Sequence, residues 1–142
     1  MIRQATLHDI DAICALCERC QPDPLPWRQM KKTLTDLIHA EDANVLVAEL
    51  CGLVAGVVAF NVILQLDKSN HVGRISTIMV DEHFRDMTLG RQLLSAAETC
   101  LLARGCDQIE VVPSYHKADA QSFYLHCGFK LTPERLIKAL AA

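Results

Sequence analysis

A strand that runs into a helix through a short charged loop constrains this chain most. Apolar residues from Ile75 to Val80 are typical of a buried strand, and a loop containing Arg85 follows them. Beyond the loop, apolar residues recur at the spacing of a helix, at Leu89, Leu93, Leu94, Ala97 and Leu101. The first turn of a helix has N–H groups without intrahelical partners and carries partial positive charge. The junction is therefore predicted to bind an anion such as a pyrophosphate.

Length and composition indicate a single globular domain over residues 1–142, enough chain for one hydrophobic core. The longest apolar run, Leu53 to Leu66, is interrupted by polar residues and is shorter than the ~20 residues of a membrane span. His8 and Asp9 follow the first apolar residues closely, so no signal peptide is visible and a cytoplasmic location without a membrane partner is expected. The net charge of −3 argues against a nucleic-acid partner, which usually presents a basic stripe.

Seven cysteines, an odd number in a chain without a secretory signal, are expected to be reduced thiols. Cys14, Cys17 and Cys20 have the spacing of metal or cluster ligands, but they lie on a predicted helix with no fourth ligand nearby. We therefore expect these three to be small buried thiols, with Cys20 the most exposed, and we expect no metal site.

The remaining pattern predicts a mixed sheet with helices on its faces, in the order β-α-α-β-β-β-α-β-α-β. Thr6 and Asp9 have the spacing of a capping box, and Cys51-Gly52 is placed for a two-residue hairpin turn. Strands are predicted at Ile2–Ala5, Val45–Leu50, Leu53–Leu64, Gly73–Val80, Asp107–Val112 and Leu136–Leu140. Helices are predicted from Thr6 to about Arg19, from Pro26, from the charged loop to about Arg104, and over Lys117–Cys127. The order is not that of a Rossmann fold, and GxGxxG is absent.

Two motifs in this order resemble the GNAT family of N-acetyltransferases. The segment Val80–Leu94 resembles the family's acetyl-CoA loop, R/Q-x-x-G-x-G/A, and Ala120–Phe129 resembles its A-x-x-F-Y-x-x-x-G-F ending. Arg3–Asp9 and Val45–Gly56 resemble its opening strand and helix start and its second and third strands. The resemblance covers nearly the whole chain. It implies an α/β (α+β mixed) GNAT fold, with a mostly antiparallel sheet of six to seven strands and about four helices.

Within the family the chain is similar to the small aminoalkylphosphonate N-acetyltransferases, in its length, its long third strand and its Lys138-Ala-Leu140 ending. The resemblance implies an acetyl-CoA-dependent N-acetyltransferase in which a primary amine of a small molecule attacks the thioester directly. Aminoalkylphosphonates, aminoglycosides, polyamines and amino acids are the candidate acceptors. A protein or peptide acceptor, a non-catalytic acyl-CoA sensor and a tRNA-acetylating toxin remain alternatives, the last disfavoured by the acidic balance. A homodimer stays open.

The resemblance also implies how acetyl-CoA, the co-substrate, is held. The backbone of Ile78–Val80 is expected to pair with the pantetheine arm, and the amides of Asp86–Arg91 to hold the pyrophosphate beside Arg85. Two positions depart from the family pattern: Thr88 stands where glycine is usual, and Ser114 where many relatives have asparagine. The implied cofactor-binding residues are Ile78, Met79, Val80, Arg85, Asp86, Met87, Thr88, Leu89, Gly90, Arg91, Ser114 and Phe123.

Tyr124, in the second motif, is the implied general acid, because a phenol is protonated at neutral pH and can serve the CoA thiolate. The general base is left open, because the fourth strand lacks the glutamate that many relatives place there. The alternatives are water held by Ser76 or Thr77, or the side chains of Glu110, Asp67, His71 and His116. Arg74 either binds an anionic group of the acceptor or is a surface charge at the end of the strand. Trp27 either covers the acceptor or belongs to the core.

Overall fold

A five-stranded sheet is the centre of the first of two units, Met1–Val112 and Pro113–Ala142, in the computed structural model. The structure describes residues 1–112, 117–132 and 136–140, and gives only the backbone of Asp86, Met87 and residues 117–119. The strands are β1 Ile2–Gln4, β2 Ala43–Leu50, β3 Leu53–Ile63, β4 His71–Val80 and β5 Cys106–Val111. The helices are α1 Ile10–Cys20, α2 Trp27–His39, α3 Leu89–Ala103 and, in the second unit, α4 Lys117–His126.

The strands follow one another across the sheet in chain order, from β1 to β5. The first four are antiparallel, and only β4 and β5 are parallel. A parallel pair needs a long crossover, which α3 supplies. At the predicted hairpin between β2 and β3, Cys51 and Gly52 have φ of 52° and 76°. Both angles lie in the left-handed region that a type I′ turn requires, so the predicted turn is confirmed.

Strand residues alternate between the two faces of the sheet, so apolar strands give it two apolar faces. The helices cover both of these faces. Val45, Val47, Val57 and Ala59 pack with the buried residues of α1 and α2. Helix α3 lies against the other face, where it approaches the backbone at glycines. A Cβ atom at Gly73 would lie 2.5 Å from Leu101 Cδ1, and one at Gly56 would lie 2.8 Å from Leu93 Cδ1. The packing of α3, and with it the position of its N-terminus, therefore depends on these small residues.

The turn that precedes α1 confirms the predicted capping box. Thr6 caps a short 3₁₀ turn, Leu7–Asp9, and the Asp9 carboxylate accepts a hydrogen bond from the Thr6 N–H at 2.8 Å. Arg3 on β1 donates to both carboxylate oxygens, at 2.8 and 2.9 Å. These contacts, led by the Arg3 hydrogen bond, lower the pKa of Asp9 to about 2. One buried carboxylate thus connects the first strand to the first helix.

The predicted strand over Leu136–Leu140 is wrong. No strand is formed in residues 129–132 or 136–140, so the described part of the chain contains five strands rather than six or seven. Apolar composition favoured a strand there, but Leu136, Ile137 and Leu140 are 103%, 77% and 95% exposed. A strand is stable only when it pairs and buries one face, and composition alone does not supply a pairing partner. None of the described helices has the length and apolar character needed to cross a membrane.

Candidate active site

One edge of β4 is open where β5 leaves it. The parallel register ends at Ile75↔Val111, whereas β3 pairs with β4 on the other side as far as Gly56↔Val80. Among the described residues, no strand therefore pairs with β4 from Ser76 to Val80 on the β5 side. Unpaired N–H and C=O groups along such an edge are suited to an extended ligand that adds to the sheet. The predicted pantetheine-binding residues, Ile78–Val80, lie along this open edge.

A β-bulge in the pairing of β3 with β4 lies at the point where β4 and β5 separate. Ala59 pairs with Thr77 and Phe60 with Ile75, which leaves Ser76 as the extra residue on β4. The Ser76 hydroxyl donates to the Ala59 carbonyl at 3.2 Å. A bulge bends its strand and increases the local twist, so the bulge at Ser76 gives a physical reason for the divergence of β4 from β5.

Asp81 organises the loop that follows the open edge. Its backbone N–H donates to the Ala55 carbonyl at 2.8 Å, which continues the β3–β4 pairing. Its carboxylate accepts from the backbone N–H of His83 at 3.0 Å, contacts the His83 ring and pairs with Arg19 of α1 at 2.9 Å. The hydrogen bonds from His83, followed by the one from Arg19, lower the pKa of Asp81 to about 2. The carboxylate is thus ionised at neutral pH and caps the 3₁₀ turn Glu82–Met87.

Helix α3 begins directly after this turn, as predicted. Leu89 is buried and lies 3.6 Å from a Cβ placed on Gly56, while Gly90 is half-buried and Arg91 exposed. Thr88 has φ of 59° and ψ of 18°, and its carbonyl accepts from the Gln92 N–H at 3.1 Å. This left-handed conformation is costly for a β-branched residue and is free for glycine. The need for a left-handed residue here gives a physical reason for the glycine in the acetyl-CoA loop pattern.

Arg85 and Cys20 meet at the last carbonyl of β4. The Arg85 Nε donates to the Val80 carbonyl at 3.3 Å, and the Cys20 thiol donates to the same oxygen at 3.6 Å. Arg85 is exposed, and its guanidinium therefore lies where the open edge passes into the loop that leads to α3. A cation there, together with helix N–H groups, gives the charge complementarity that a pyrophosphate requires.

The three clustered cysteines, Cys14, Cys17 and Cys20, lie on α1 and are partly or fully buried. Cys14 is buried, and Cys17 and Cys20 are half-buried. Burial raises the pKa of all three thiols, that of Cys17 to about 11. These thiols are therefore held in their protonated, less nucleophilic form. In the part of the chain that the structure describes, no three His, Cys, Asp or Glu residues are grouped so that they could hold a metal ion.

A row of three polar residues crosses the sheet just before β4 and β5 diverge. Asn61 on β3 pairs with Arg74 on β4, and Arg74 pairs with Glu110 on β5. We call these three residues the polar row. Asn61 follows Val57 and Ala59 at two-residue spacing, so the polar row lies on the face of the sheet that carries α1 and α2. The Arg74 Nε donates to Glu110 Oε1 at 2.6 Å.

The other base candidates occupy different places. His71 begins β4, at the end of the strand opposite the open edge, and its Nδ1 is buried without a hydrogen-bond partner among the described residues. Asp67 lies in the exposed loop before β4, and His116, like Ser114, lies outside the described residues. Thr77 is half-buried beside the bulge. Of the carboxylates considered, Glu110 is therefore the one that the strand register places beside β4 near its open edge.

Trp27 belongs to the margin of the core. It is partly buried and packs against the cluster formed by α1 and α2. Its Nε1 donates to Glu18 at 2.7 Å, and the Lys31 ammonium lies 5.5 Å from the ring centroid. These contacts bind Trp27 to the two helices, which favours the core alternative over a lid.

Tyr124 lies in the last turn of α4, in the second unit. It is buried, and its ring packs edge-to-face on Phe123 and Phe129 at centroid distances of 5.2 and 5.4 Å. The Phe129 N–H donates to the Tyr124 carbonyl at 3.0 Å, just after Gly128 ends the helix with φ of 96°. Burial raises the pKa of the phenol to about 12. Tyr124 therefore keeps its proton throughout the neutral range.

The residues that support the site were not predicted from the sequence. They are Asp81, Arg19 and Cys20, whose thiol contacts the end of β4. Asp81 had a readable signal, since an aspartate just before a turn commonly accepts the N–H two residues later. The contact between Arg19 and Asp81 spans 62 positions of the sequence, and no local pattern indicates such a pair.

Several known proteins are similar to this chain in sequence or in fold. Residues 10–129 match the acetyltransferase (GNAT) family. The chain is 27% identical over 139 residues to an aminoalkylphosphonate N-acetyltransferase of Salmonella typhimurium, covering 98% of this chain and 90% of that enzyme. An aminoglycoside N-acetyltransferase solved in complex with CoA has a TM-score of 0.85 at 20% identity, covering 99% of this chain and 93% of the other. An aminoglycoside 6'-N-acetyltransferase of Acinetobacter haemolyticus has a TM-score of 0.86 at 14% identity, covering 100% and 99%.

The chain belongs to the acetyltransferase (GNAT) family and is an N-acetyltransferase that uses acetyl-CoA as its co-substrate. The structural likenesses, at these identities, add the fold alone. The predicted fold class and the predicted family are both confirmed.

Proposed function

We propose that this N-acetyltransferase transfers the acetyl group to a primary amine of a small molecule, and that the open edge of β4 and the loop after it hold acetyl-CoA. The observation that carries the proposal is the continuity of the two features. Among the described residues, a strand edge without a partner passes directly into a capped turn, an exposed arginine and the first turn of a helix. Acetyl-CoA has chemical groups in the matching order, because its extended pantetheine arm ends in a diphosphate.

In this proposal the pantetheine amides add to the backbone of Ile78–Val80 and the pyrophosphate binds at the start of α3. Backbone N–H groups are fixed dipoles, and Arg85 adds charge and planar donors. Residues 86–91 contribute through their backbone, and Leu89 fixes the first turn by its burial. Ser114 and Phe123 keep the cofactor-binding roles that the family resemblance implies.

The reaction is a direct transfer. The lone pair of the neutral amine attacks the thioester carbonyl carbon, and the C–S bond breaks with its electron pair going to sulfur. The nitrogen then loses one proton and the sulfur takes one up, so that an amide and CoA are formed. We propose that Tyr124 is the residue that interacts with the leaving sulfur. A phenol with a pKa near 12 is a weaker acid than a thiol of ordinary pKa ~8.5. Tyr124 is therefore better suited to stabilise the developing thiolate by a hydrogen bond than to transfer its proton completely.

An aminoalkylphosphonate is our proposed acceptor class. The support is the relative from Salmonella typhimurium, which the chain matches along nearly its entire length. We also propose that residues 1–142 act as one domain, since the family match runs from residue 10 to residue 129 and thus through both units.

Release of CoA, followed with a thiol reagent in the presence of acetyl-CoA and a panel of amines, tests the proposal. The panel contains aminomethyl- and 2-aminoethylphosphonate, an amino acid, a polyamine, an aminoglycoside and a lysine peptide. A blank without amine is required because Cys51 is exposed and reacts with the reagent. Turnover with a small amine that falls at least about 100-fold in Tyr124→Phe supports the proposal. Turnover of the peptide alone indicates a protein acceptor, and acetyl-CoA binding without any turnover indicates a sensor.

A further inference from the structure

We propose that Arg74 and Glu110 form the acceptor end of this active site through an exchange of ion pairs. The anionic group of the acceptor replaces Glu110 on Arg74, and the released Glu110 carboxylate takes the proton from the acceptor's ammonium group. The inference rests on the proposed function and adds to it a binding residue, a base and a charge requirement for the substrate.

The geometry of the pair permits such an exchange. Arg74 Nε and Nη2 both contact the same oxygen, Oε1 of Glu110. The two side chains are 48% and 46% exposed. Ion pairs at that exposure are weak, because water solvates both partners and competes for them. A phosphonate or carboxylate matches the planar guanidinium as well as Glu110 does, so an incoming anion can displace Glu110.

The position of the pair suits the acceptor end. If the pantetheine arm runs along β4 from the pyrophosphate loop, four residues separate Val80 from Ser76, a length of ~13 Å in a strand. The thioester then lies near the bulge at Ser76. Arg74 is two residues further along β4, ~7 Å away, and Glu110 is its direct neighbour on β5. Both side chains lie on the face of the sheet that carries α1 and α2, opposite α3.

The pair also supplies the proton acceptor that β4 lacks. The strand contains Arg74, Ser76 and Thr77 but no carboxylate, whereas the parallel register brings Glu110 of β5 beside it. At neutral pH the acceptor arrives as an ammonium ion, whose N–H bond must break before the nitrogen can attack. Glu110 receives that proton, the electron pair stays on nitrogen and attacks the carbonyl carbon, and Glu110 later returns the proton to solvent. After the attack the nitrogen loses a second proton, which balances the proton that the departing sulfur takes up from solvent.

The exchange predicts which amines are good acceptors. An amine with an anionic tail occupies Arg74 and frees Glu110 in the same step. A neutral amine does not displace Glu110 from Arg74, and a polycationic amine is repelled by the positive charge of Arg74. Acceptors that carry both an amine and an anion should therefore react fastest.

Steady-state kinetics with a matched pair of acceptors tests the exchange. We would compare 2-aminoethylphosphonate with 2-aminoethanol, which has the same amine arm without the anion. Arg74→Gln should raise KM for the phosphonate about 10- to 100-fold, the loss expected for a charge-assisted contact, and leave KM for 2-aminoethanol unchanged. Because the variant also releases Glu110 from its ion pair, kcat for 2-aminoethanol should rise. Arg74→Lys should recover part of the loss for the phosphonate, because it keeps the charge but not the planar donors. Glu110→Gln should lower kcat about 100-fold with little change in KM.

Direct binding of acetyl-CoA provides the control for folding, since neither variant should change its dissociation constant. Lys68→Gln and Asp42→Asn remove one exposed charge of each sign from loops outside the polar row and should leave all the kinetic constants unchanged. The exchange is refuted if Arg74→Gln affects both acceptors equally, or if Glu110→Gln retains the wild-type kcat. If the wild type and all of the variants acetylate 2-aminoethanol, the proposed function stands. The kinetic comparison of the variants then decides whether the exchange of ion pairs occurs. No turnover of any amine by the wild type would overturn both.

Discussion

Arg19, the penultimate residue of α1, forms an ion pair at 2.9 Å with Asp81, the first residue after β4. The contact joins a helix on one face of the sheet to the loop that we assign to the pyrophosphate. Asp81 also caps the turn of that loop, so one carboxylate sets both the conformation of the loop and its attachment to α1. The loop is therefore held in its binding conformation before the ligand arrives, which lowers the entropic cost of binding.

Replacement of Asp81 should weaken the binding of acetyl-CoA more than it slows the reaction. Asp81→Asn removes the ion pair to Arg19 and weakens the cap on the turn, a loss of about 1 kcal/mol. We expect KM for acetyl-CoA to rise about 5- to 10-fold with kcat nearly unchanged. Asp11→Asn is the matched control, because Asp11 forms an exposed ion pair from α1 to Lys31 of α2 instead. Equal effects of the two substitutions on KM would contradict the role of Asp81.

Glycine at position 88 should relieve the backbone strain in the loop before α3. Thr88 has φ of 59°, a conformation that costs a side chain about 1–2 kcal/mol, while glycine loses about 0.5–1 kcal/mol through its greater freedom in the unfolded chain. Thr88→Gly should therefore be more stable than Thr88→Ala by about 0.5–1 kcal/mol in urea unfolding, because both variants lack the hydroxyl and differ in the cost of the left-handed backbone. Thr88→Ala separates the backbone from the hydroxyl, since it removes the oxygen and keeps the Cβ atom. A loss of stability in Thr88→Gly that equals the loss in Thr88→Ala would show that the hydroxyl matters more than the backbone.

The parts of the fold that follow from local signals were predictable. The capping box at Thr6, the turn at Cys51-Gly52 and the apolar spacing of α3 each arise within a few residues and were read correctly. The strand at Leu136–Leu140 was not, because a strand depends on a pairing partner elsewhere in the chain. Apolar composition gives no information about that partner.

The candidate site likewise combines features that arise locally with features that depend on distant parts of the chain. Arg85 and the helix start were visible in a motif, and α3 does begin at Leu89, just after the loop that contains Arg85. Glu110 could be named only as one base candidate among several, because its proximity to Arg74 comes from the parallel register between β4 and β5. Bulges such as the one at Ser76 have no reliable sequence signal, although this one lies where the open edge begins.

Asp9 should make stability depend on pH in the acid range. Its pKa is lowered from 3.8 to about 2, mainly by the hydrogen bond from Arg3. A carboxyl whose pKa is lower in the folded state stabilises the fold above the unfolded pKa, and this contribution is lost as the pH falls from about 4 to about 2. Asp9→Asn should cost about 1–3 kcal/mol at pH 7, and the difference from the wild type should shrink across that window.

Urea unfolding of both proteins at pH 7, 4 and 3 measures the effect of Asp9. Asp11→Asn provides the control, because the Asp11 side chain is 75% exposed, and it should change stability by no more than about 0.5 kcal/mol. A constant difference between wild type and Asp9→Asn at the three pH values would contradict the assignment of the ionised Asp9 as the stabilising group.

Tyr124 should not limit the reaction at alkaline pH. Burial raises the pKa of its phenol to about 12, so it retains its proton, and its ability to donate a hydrogen bond to sulfur, well above pH 10. An unperturbed tyrosine, with a pKa of ~10, would lose its proton within the range of an ordinary rate profile. We therefore expect kcat to stay level from pH 8 to about 10.5 and Tyr124→Phe to lower it about 100-fold without changing the shape of the profile. A fall in kcat centred near pH 10 in the wild type that is absent from Tyr124→Phe would show that the phenol is solvated when the substrates are bound, and would remove burial as the cause of its protonation.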